Sequence, residues 1–517
     1  MLSYPGSPPT HRVTGLAAAP SFLLILGSLF LAVWRAAGRR TGWAAEAAIT
    51  TLALLAGLLL GWSIPARSGF VLWPPALSPS GSIELDLTPW SWALLVCVLG
   101  LGVFRSLQSA SKGSPSRAGA QSASLVFTAV IGLSTVAASL LTLVLTWTLV
   151  IVAQTWLVST RGPGQDAGPP WRHIQPSDVA TLLLLIGAFG LTGAEKVTAQ
   201  LPIALLALAA FTRVWSAVHV RELGEGWVAT LGFPATASVL AALAWGWGVK
   251  DGTAPASWLA VAGLALLLGG WLSGWLAESR DHRARGWIAG VGGMALVAAA
   301  ASPDQVETPL ATAGALLILA GALGVAPLRG GLSARLGAAI AVLMMVGIPG
   351  LPAAVFFGAA VPIDGASAMG WVAVAGAGLM ASKSLRDALR PRLDLDPESA
   401  SPMASVAAAM MTVLGVTVYL RLSALVPPPT LAAVPVALVA SIIGVVLWAQ
   451  IPDGPRLRIA RGLRWPAAIT SPRAAAAAAG PVEAFLRGAR DVLEGDASLL
   501  WALVAVVVGL LLLQGAV

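Results

Sequence analysis

An all-α, multi-pass membrane protein is the fold class that this 517-residue sequence predicts, and three observations predict it. Apolar runs of about twenty residues, the length a helix needs to cross a bilayer core, recur about sixteen times between Leu16 and Val517. The composition is 57% hydrophobic and only 10% charged, with a mean hydropathy of +0.83, so a soluble chain of this length could not keep its surface wet. The runs also lack the alternation of barrel strands. Unpaired backbone groups in hydrocarbon are costly, which leaves helices as the spanning structure.

The spans read in order as 16–34, 43–64, 89–108, 123–140, 142–159, 178–195, 198–217, 232–249, 258–277, 286–302, 308–327, 335–360, 366–384, 403–424, 430–450 and 498–516. This sets an expectation of about 14 to 16 transmembrane helices. Before the first span, Pro5, Pro8, Pro9 and a lone Arg12 do not make the basic start of a signal peptide, so 16–34 is read as a retained helix. Residues 1–122 then hold the N-terminal helices, with short alternating segments at Gly69–Trp73 and Ser82–Leu87 that predict an external hairpin within 65–88. Residues 123–249 and 258–384 form two blocks of five spans. In the second, Gly263, Gly269 and Gly270 are expected to bring helices close together, since small residues drive packing where lipid is the solvent. Residues 385–517 supply the last helices. They include a cytoplasmic segment, 451–497, in which Phe485, Leu486, Val492 and Leu493 can share one apolar face, and the final span 498–516.

Charge orients the bundle. The net charge of +8 comes from residues placed singly or in small groups between spans. One alternate set of loops carries Arg35, Arg39 and Arg40, then Arg105, Lys112 and Arg117, then Arg161 and Arg172, Arg221, Arg280 to Arg285, Arg329 and Arg335, Arg386 to Arg392, and the arginines from Arg456 on. The opposite set has Arg67, Lys196 and Lys250 beside Glu84, Asp86, Asp251, Asp304, Glu307 and Asp364. Positive residues favour the cytoplasmic side of short loops, so both termini are expected outside. Arg far outnumbers Lys, and Ala and Gly abound, a composition that suits a GC-rich bacterial genome, and the expected location is a prokaryotic inner membrane. No basic stripe interleaves with aromatics, which argues against nucleic acid as a partner. Cys97 is the only cysteine and lies inside an apolar run, so cysteine-held clusters, Cys-ligated zinc and internal disulfides are excluded.

The stretch Ala341 to Pro352 contains Gly347-Ile-Pro-Gly350 late in a long apolar run. Pro349 removes a backbone donor and Gly347 and Gly350 loosen the turn, so the helix should break within the membrane. This resembles the broken helix of the antiporter-like subunits shared by respiratory complex I (NADH:quinone oxidoreductase) and Mrp-type cation/proton antiporters. Leu141 to Val150 is similar to that family's fifth helix, Phe233 to Leu240 to the start of its eighth, and Gly263 to Gly270 followed by Asp281-His-Arg283 to the approach to its tenth. The resemblance implies two inverted five-helix repeats, each with a broken fourth helix. It also implies a place among other membrane subunits of an oxidoreductase or antiporter complex. NADH and quinone would then be handled only by partners, with no cofactor bound by this chain.

In that family an acid on the fifth helix pairs with a Lys on the seventh. After Trp147 this sequence has Thr148, which cannot titrate, and Arg213 stands near the expected Lys, with His219 near the family's His. Arg stays protonated and is a poor proton carrier. Two readings of Arg213 are open: an anchor whose side chain snorkels to the cytoplasmic headgroups, or a charged group paired inside the bundle. Gly314 and Phe356-Phe357 offer no basic group on the eleventh and twelfth spans. Asp178 and Glu195 sit at the ends of the sixth span, where capping is the default. The 21 tryptophans, among them Trp62, Trp73, Trp90, Trp92, Trp227 and Trp287, read as an interfacial belt. The expectation is therefore a divergent subunit, ancestrally coupling electron transfer to proton or sodium translocation, whose ion pathway is degenerate. The alternative is an unrelated polytopic transporter or a lipid-linked glycan enzyme.

Overall fold

The computed structural model describes residues 16–37, 43–64, 66–71, 82–111, 119–160, 181–188, 204–210, 212–213, 227–248, 257–277, 280–302, 305–325, 331–361, 368–389, 402–426 and 432–450. The segment 451–497 and the span 498–516 lie outside them, as do Asp178, Glu195 and His219. The helices are α1 (Ala19–Ala36), α2 (Trp43–Leu60), α3 (Pro89–Ser111), α4 (Ala120–Thr135), α5 (Leu140–Ser159), α6 (Trp227–Gly248) and α7 (Ser257–Leu276). They continue with α8 (Arg280–Ala301), α9 (Glu307–Val325), α10 (Gly331–Val346), α11 (Pro352–Ala360), α12 (Ala368–Leu389), α13 (Pro402–Leu422) and α14 (Ala433–Gln450). Residues 181–188 and 204–210 are helical pieces of the sixth and seventh spans. Among the described residues nine helices are long and apolar enough to cross a membrane, with three shorter apolar ones besides.

Helix α9 is the axis of the packing. Its residues from Thr308 to Leu323 are all buried, and α3, α6, α8, α10 and α11 surround it. The outer helices show what lies beyond them. Phe22, Leu26, Leu29, Phe30 and Val33 of α1 are exposed, as are Leu438, Val439, Ile442 and Ile443 of α14, a surface that only lipid or another membrane chain can cover. The tryptophans divide between two roles. Trp62 is exposed as an interfacial residue should be, but Trp92 and Trp287 are buried, and the Trp92 indole donates to the Gly57 carbonyl at 2.8 Å.

The closest helix pair is α7 with α8. A Cβ on Gly263, Gly270 or Gly274 would press on the backbone at Gly293, Gly290 and Gly286 respectively. The partners step in opposite directions along the two helices, so the pair is antiparallel. Two rows of glycine let the backbones meet without side chains between them, the arrangement that gains most from dispersion in lipid. Gly263 and Gly270 belong to this seam, whereas Gly269 faces open space.

The alternating segments pair as an antiparallel hairpin, β1 (Ala66–Val71) with β2 (Ser82–Leu87), in a register that sets Ala66 opposite Leu87. β2 is held at the α4–α5 junction, where the Asp86 amide donates to the Val136 carbonyl and the Ala138 amide to Glu84, both at 2.9 Å. These bonds satisfy backbone groups that the turn between two helices leaves unpaired.

The long run at 335–360 is two helices. α10 stops at Val346, and α11 starts at Pro352 after the extended Leu351. Gly347 and Gly350 have φ of +83° and +100°, the left-handed region in which a side chain clashes with its own backbone. Pro352 at the first position of α11 needs no amide partner. Gly347 also lies against the Phe357 ring, which a Cβ would overlap, while Gly350 has open space around it. Gly347→Ala should therefore lower the melting temperature in detergent clearly more than Gly350→Ala, for which only the backbone cost of about 1–2 kcal/mol applies. Equal shifts would show that contact with Phe357 contributes nothing.

Candidate functional site

Helix α5 begins at Ser139, whose hydroxyl accepts from the Thr142 amide at 3.2 Å. Eight residues into the helix, Trp147 points inward and is 0% exposed. At 1.5 Å per residue the ring starts about a third of the way along a helix that is about 30 Å long. Over its face lies the guanidinium of Arg213, 4.9 Å from the ring centroid, and Arg213 is itself only 3% exposed. A snorkelling anchor would carry its head to the end of the span. This one turns into the bundle and stacks on an aromatic face, a geometry in which the ring's negative face attracts the cation.

Thr148 does not join Trp147 and Arg213. Successive residues on a helix turn by about 100°, so when Trp147 faces inward its neighbour faces out. Thr148 is exposed on α5, and its hydroxyl donates to its own helix at the Val144 carbonyl, 2.7 Å away. The inward position beside the seventh span is filled by the indole. Sequence spacing aligned the residue after the tryptophan with an ion route, and helical phase assigns that place to the tryptophan.

Three charged side chains are buried among the described residues: Glu46, Arg213 and Lys383. Two of them belong to helix ends. Glu46 stands in the first turn of α2 within electrostatic reach of Arg35 at the end of α1, and Arg35 donates to the Gln121 side chain of α4. The Lys383 ammonium of α12 donates to the carbonyls of Gly274, at 3.0 Å, and Ala277. Both carbonyls terminate α7, so the cation closes orphan acceptors at the negative end of the helix dipole. Sequence reading passed over Lys383, because a lysine at the end of an apolar run looks like any snorkelling residue. Only the position of the α7 terminus aims it inward.

Along α9, from Thr308 to Val325, no residue is ionisable. Gly314 packs against Leu94 and Ala237, and Phe356 and Phe357 form a buried edge-on pair with centroids 6.1 Å apart. Asp281, His282 and Arg283 lie in the first turn of α8 rather than in a loop. Chemically, the described interior offers a fixed cation over an aromatic ring and buried hydroxyls such as those of Thr146 and Thr312, which donate to carbonyls of their own helices.

No protein-family model matches the sequence, and comparison with curated proteins finds no match. Solved structures do match. The chain is similar to a chain of the Mrp complex from a Dietzia species, with 18% identity over 96% of this chain and 62% of that one, at a TM-score of 0.63. It thus spans less than two thirds of that Mrp chain. It is also similar to a chain of the membrane-bound sulfane sulfur reductase, an archaeal respiratory membrane complex (14% identity, 95% of this chain and 99% of that one, TM-score 0.61). A third similarity is to a chain of respiratory complex I from Thermus thermophilus (15% identity, 83% and 99% covered, TM-score 0.52). At these identities the likeness is one of fold, and the fold is that of the antiporter-like, multi-pass helical subunits of membrane complexes.

Proposed function

We propose that this chain is a divergent antiporter-like integral subunit of an NADH:quinone oxidoreductase or related complex in a prokaryotic inner membrane, with its own ion pathway degenerate. The similar chains all come from multi-subunit membrane complexes, which supports a role among partner subunits. On this reading NADH and quinone are bound elsewhere in the assembly, and both termini face the outer side, as the loop charges suggest.

The observation that carries the loss of the pathway is the Trp147–Arg213 stack. Loading and releasing a proton at mid-depth needs a group whose charge can change, commonly a lysine tuned by a nearby carboxylate. A guanidinium keeps its proton at any pH the cell reaches, and an indole neither donates nor accepts one in that sense. The stretch of α9 at the centre of the bundle adds no titratable group. What remains is a rigid helical wall that packs laterally against neighbours and holds the electrical barrier of the membrane.

The test is transport by the purified chain in sealed proteoliposomes. Under an imposed sodium or proton gradient, exchange should equal that of empty vesicles. Robust sodium/proton exchange by the chain alone would overturn the degenerate pathway. Copurification of the tagged chain from its native membrane without any oxidoreductase or antiporter subunit would overturn the assignment to such a complex.

A further inference from the structure

Helices α12 and α14 pack side by side and run in the same direction. A Cβ on Gly378 would press on the Ala437 main chain and one on Gly444 on the Ser382 side chain, so the contacts advance together along both helices. The Ser441 hydroxyl ties the pair by donating to the Gly378 carbonyl at 2.7 Å. Beside this line of contact lies a groove of about 380 Å³, lined by Ala375 of α12 and by Pro435, Val436, Val439, Ala440 and Ile443 of α14. All of these side chains are apolar. The volume suits one acyl chain, whereas a helix, about 10–12 Å across with its side chains, would lie over the groove rather than fill it.

Helical phase carries the groove towards one end of the pair. Ala375 and Arg386 are eleven residues apart on α12, which at about 100° per residue leaves them within about 20° of one direction, with the partly exposed Leu379 between them. On α14 the stripe of Val436, Ala440 and Ile443 continues to Leu447, which is 41% exposed. Gly444 meets Ser382, so Ile443 stands near the level of Ser382 and Arg386 one turn beyond it, about 6 Å past the end of the groove and about 16 Å from Ala375. Half the hydrocarbon core of a bilayer is about 15 Å thick. An acyl chain of one leaflet therefore runs the length of the groove when its headgroup stands at Arg386. The opposite end has the wrong charge for an anion: residues 362–367 and 427–432, which lead into α12 and α14, hold Asp364 and no basic residue.

We propose that the groove between α12 and α14 is a binding site for one anionic phospholipid, with an acyl chain along Val436, Ala440 and Ile443 and the phosphate on Arg386. A guanidinium presents five donors in a fork that matches phosphate, so it takes a phosphate oxygen alongside its bonds to the protein. Its charge selects an anionic headgroup from the leaflet on that side, as basic residues at the membrane end of helices do. The apolar stripe then fixes where the chain lies. The inference stands whether or not this protein belongs to an oxidoreductase.

Native mass spectrometry of the full chain in detergent, titrated with phosphatidylglycerol or with phosphatidylcholine of the same acyl length, tests it. Phosphatidylglycerol should half-saturate the first lipid adduct at about fivefold lower concentration, the preference that one basic residue near a membrane surface confers. Arg386→Gln should make the two lipids equal, whereas Arg421→Gln, at an exposed basic residue in the last turn of α13, should leave the preference intact. Ala375→Phe fills the groove without altering charge and should at least halve the retention of both lipids. Equal binding of the two lipids by the unaltered chain would overturn the proposal. So would a preference that Arg386→Gln keeps or that Arg421→Gln also removes, or a retention that Ala375→Phe leaves unchanged. The lipid comparison needs no variant, and Val439→Phe, at a residue 53% exposed, repeats the groove comparison should Ala375→Phe fail to fold.

Discussion

Gly270→Leu is expected to remove most of the folded protein from detergent extracts, while Gly269→Leu, one residue away, leaves the yield and the melting temperature unchanged. The reason lies in what each position faces. A Cβ on Gly270 would meet the main chain of Gly290 and Ala289, and a main chain inside a packed pair cannot rotate aside as a side chain can. Either α7 and α8 separate along their length or the pair does not form. Overpacking a core commonly costs about 1–3 kcal/mol even when side chains can yield, and here the whole seam from Gly263 to Gly274 must shift. Losing the packing of that whole seam draws on a total stability of only about 5–15 kcal/mol. Gly269 has nothing within 4 Å and presents its position outward, where leucine is at home in lipid. Fluorescence-detected gel filtration of the two variants reads the difference directly. Equal yields would mean that α7 and α8 do not meet through glycine.

Arg213→Glu should be the most damaging single charge change within residues 123–249. It sets a carboxylate against the negative face of the Trp147 ring and leaves a buried charge without its former environment, a change that costs about 3–5 kcal/mol when a buried partner is lost. Arg213→Met keeps the aliphatic stem and removes the charge. Its cost should be nearer the cation–π contribution of about 2 kcal/mol, partly offset because no cation need then be desolvated. In a double-mutant cycle, Arg213→Met with Trp147→Phe should show coupling of about 1 kcal/mol. Thermal melting in detergent supplies all of these values. Were Arg213 a headgroup anchor, the two Arg213 variants would fall within about 0.5 kcal/mol of the unaltered protein, as surface changes do.

The class of the molecule and most of its helices were legible because lipid imposes a length rule that depends on composition alone. A run such as Glu307–Val325 cannot be anything but a helix across the bilayer, and the Gly347–Pro352 break follows from residues that carry their own backbone preferences. The candidate site was legible only in part. Arg213 was identifiable as an unusual charge in a span, but its partner was not, since a one-residue change in helical phase separates the buried Trp147 from the exposed Thr148. Lys383 gave no sign at all. Whether a lysine or a hydroxyl is satisfied depends on which carbonyls stand within 3 Å or so, and those come from other helices or from a local choice of rotamer.

From the amino acids alone come the solvent of this protein, the length and order of its spans, the place where one helix breaks and the absence of titratable residues from Thr308 to Val325 of its central helix, because each of these depends on neighbours along the chain. Contact across the chain settled the rest. The glycine seam of α7 and α8, the lysine that closes α7 and the arginine stacked on a tryptophan exist only when helices far apart in sequence are brought to one depth and one rotation, and side-chain direction at that depth has no counterpart in the order of residues.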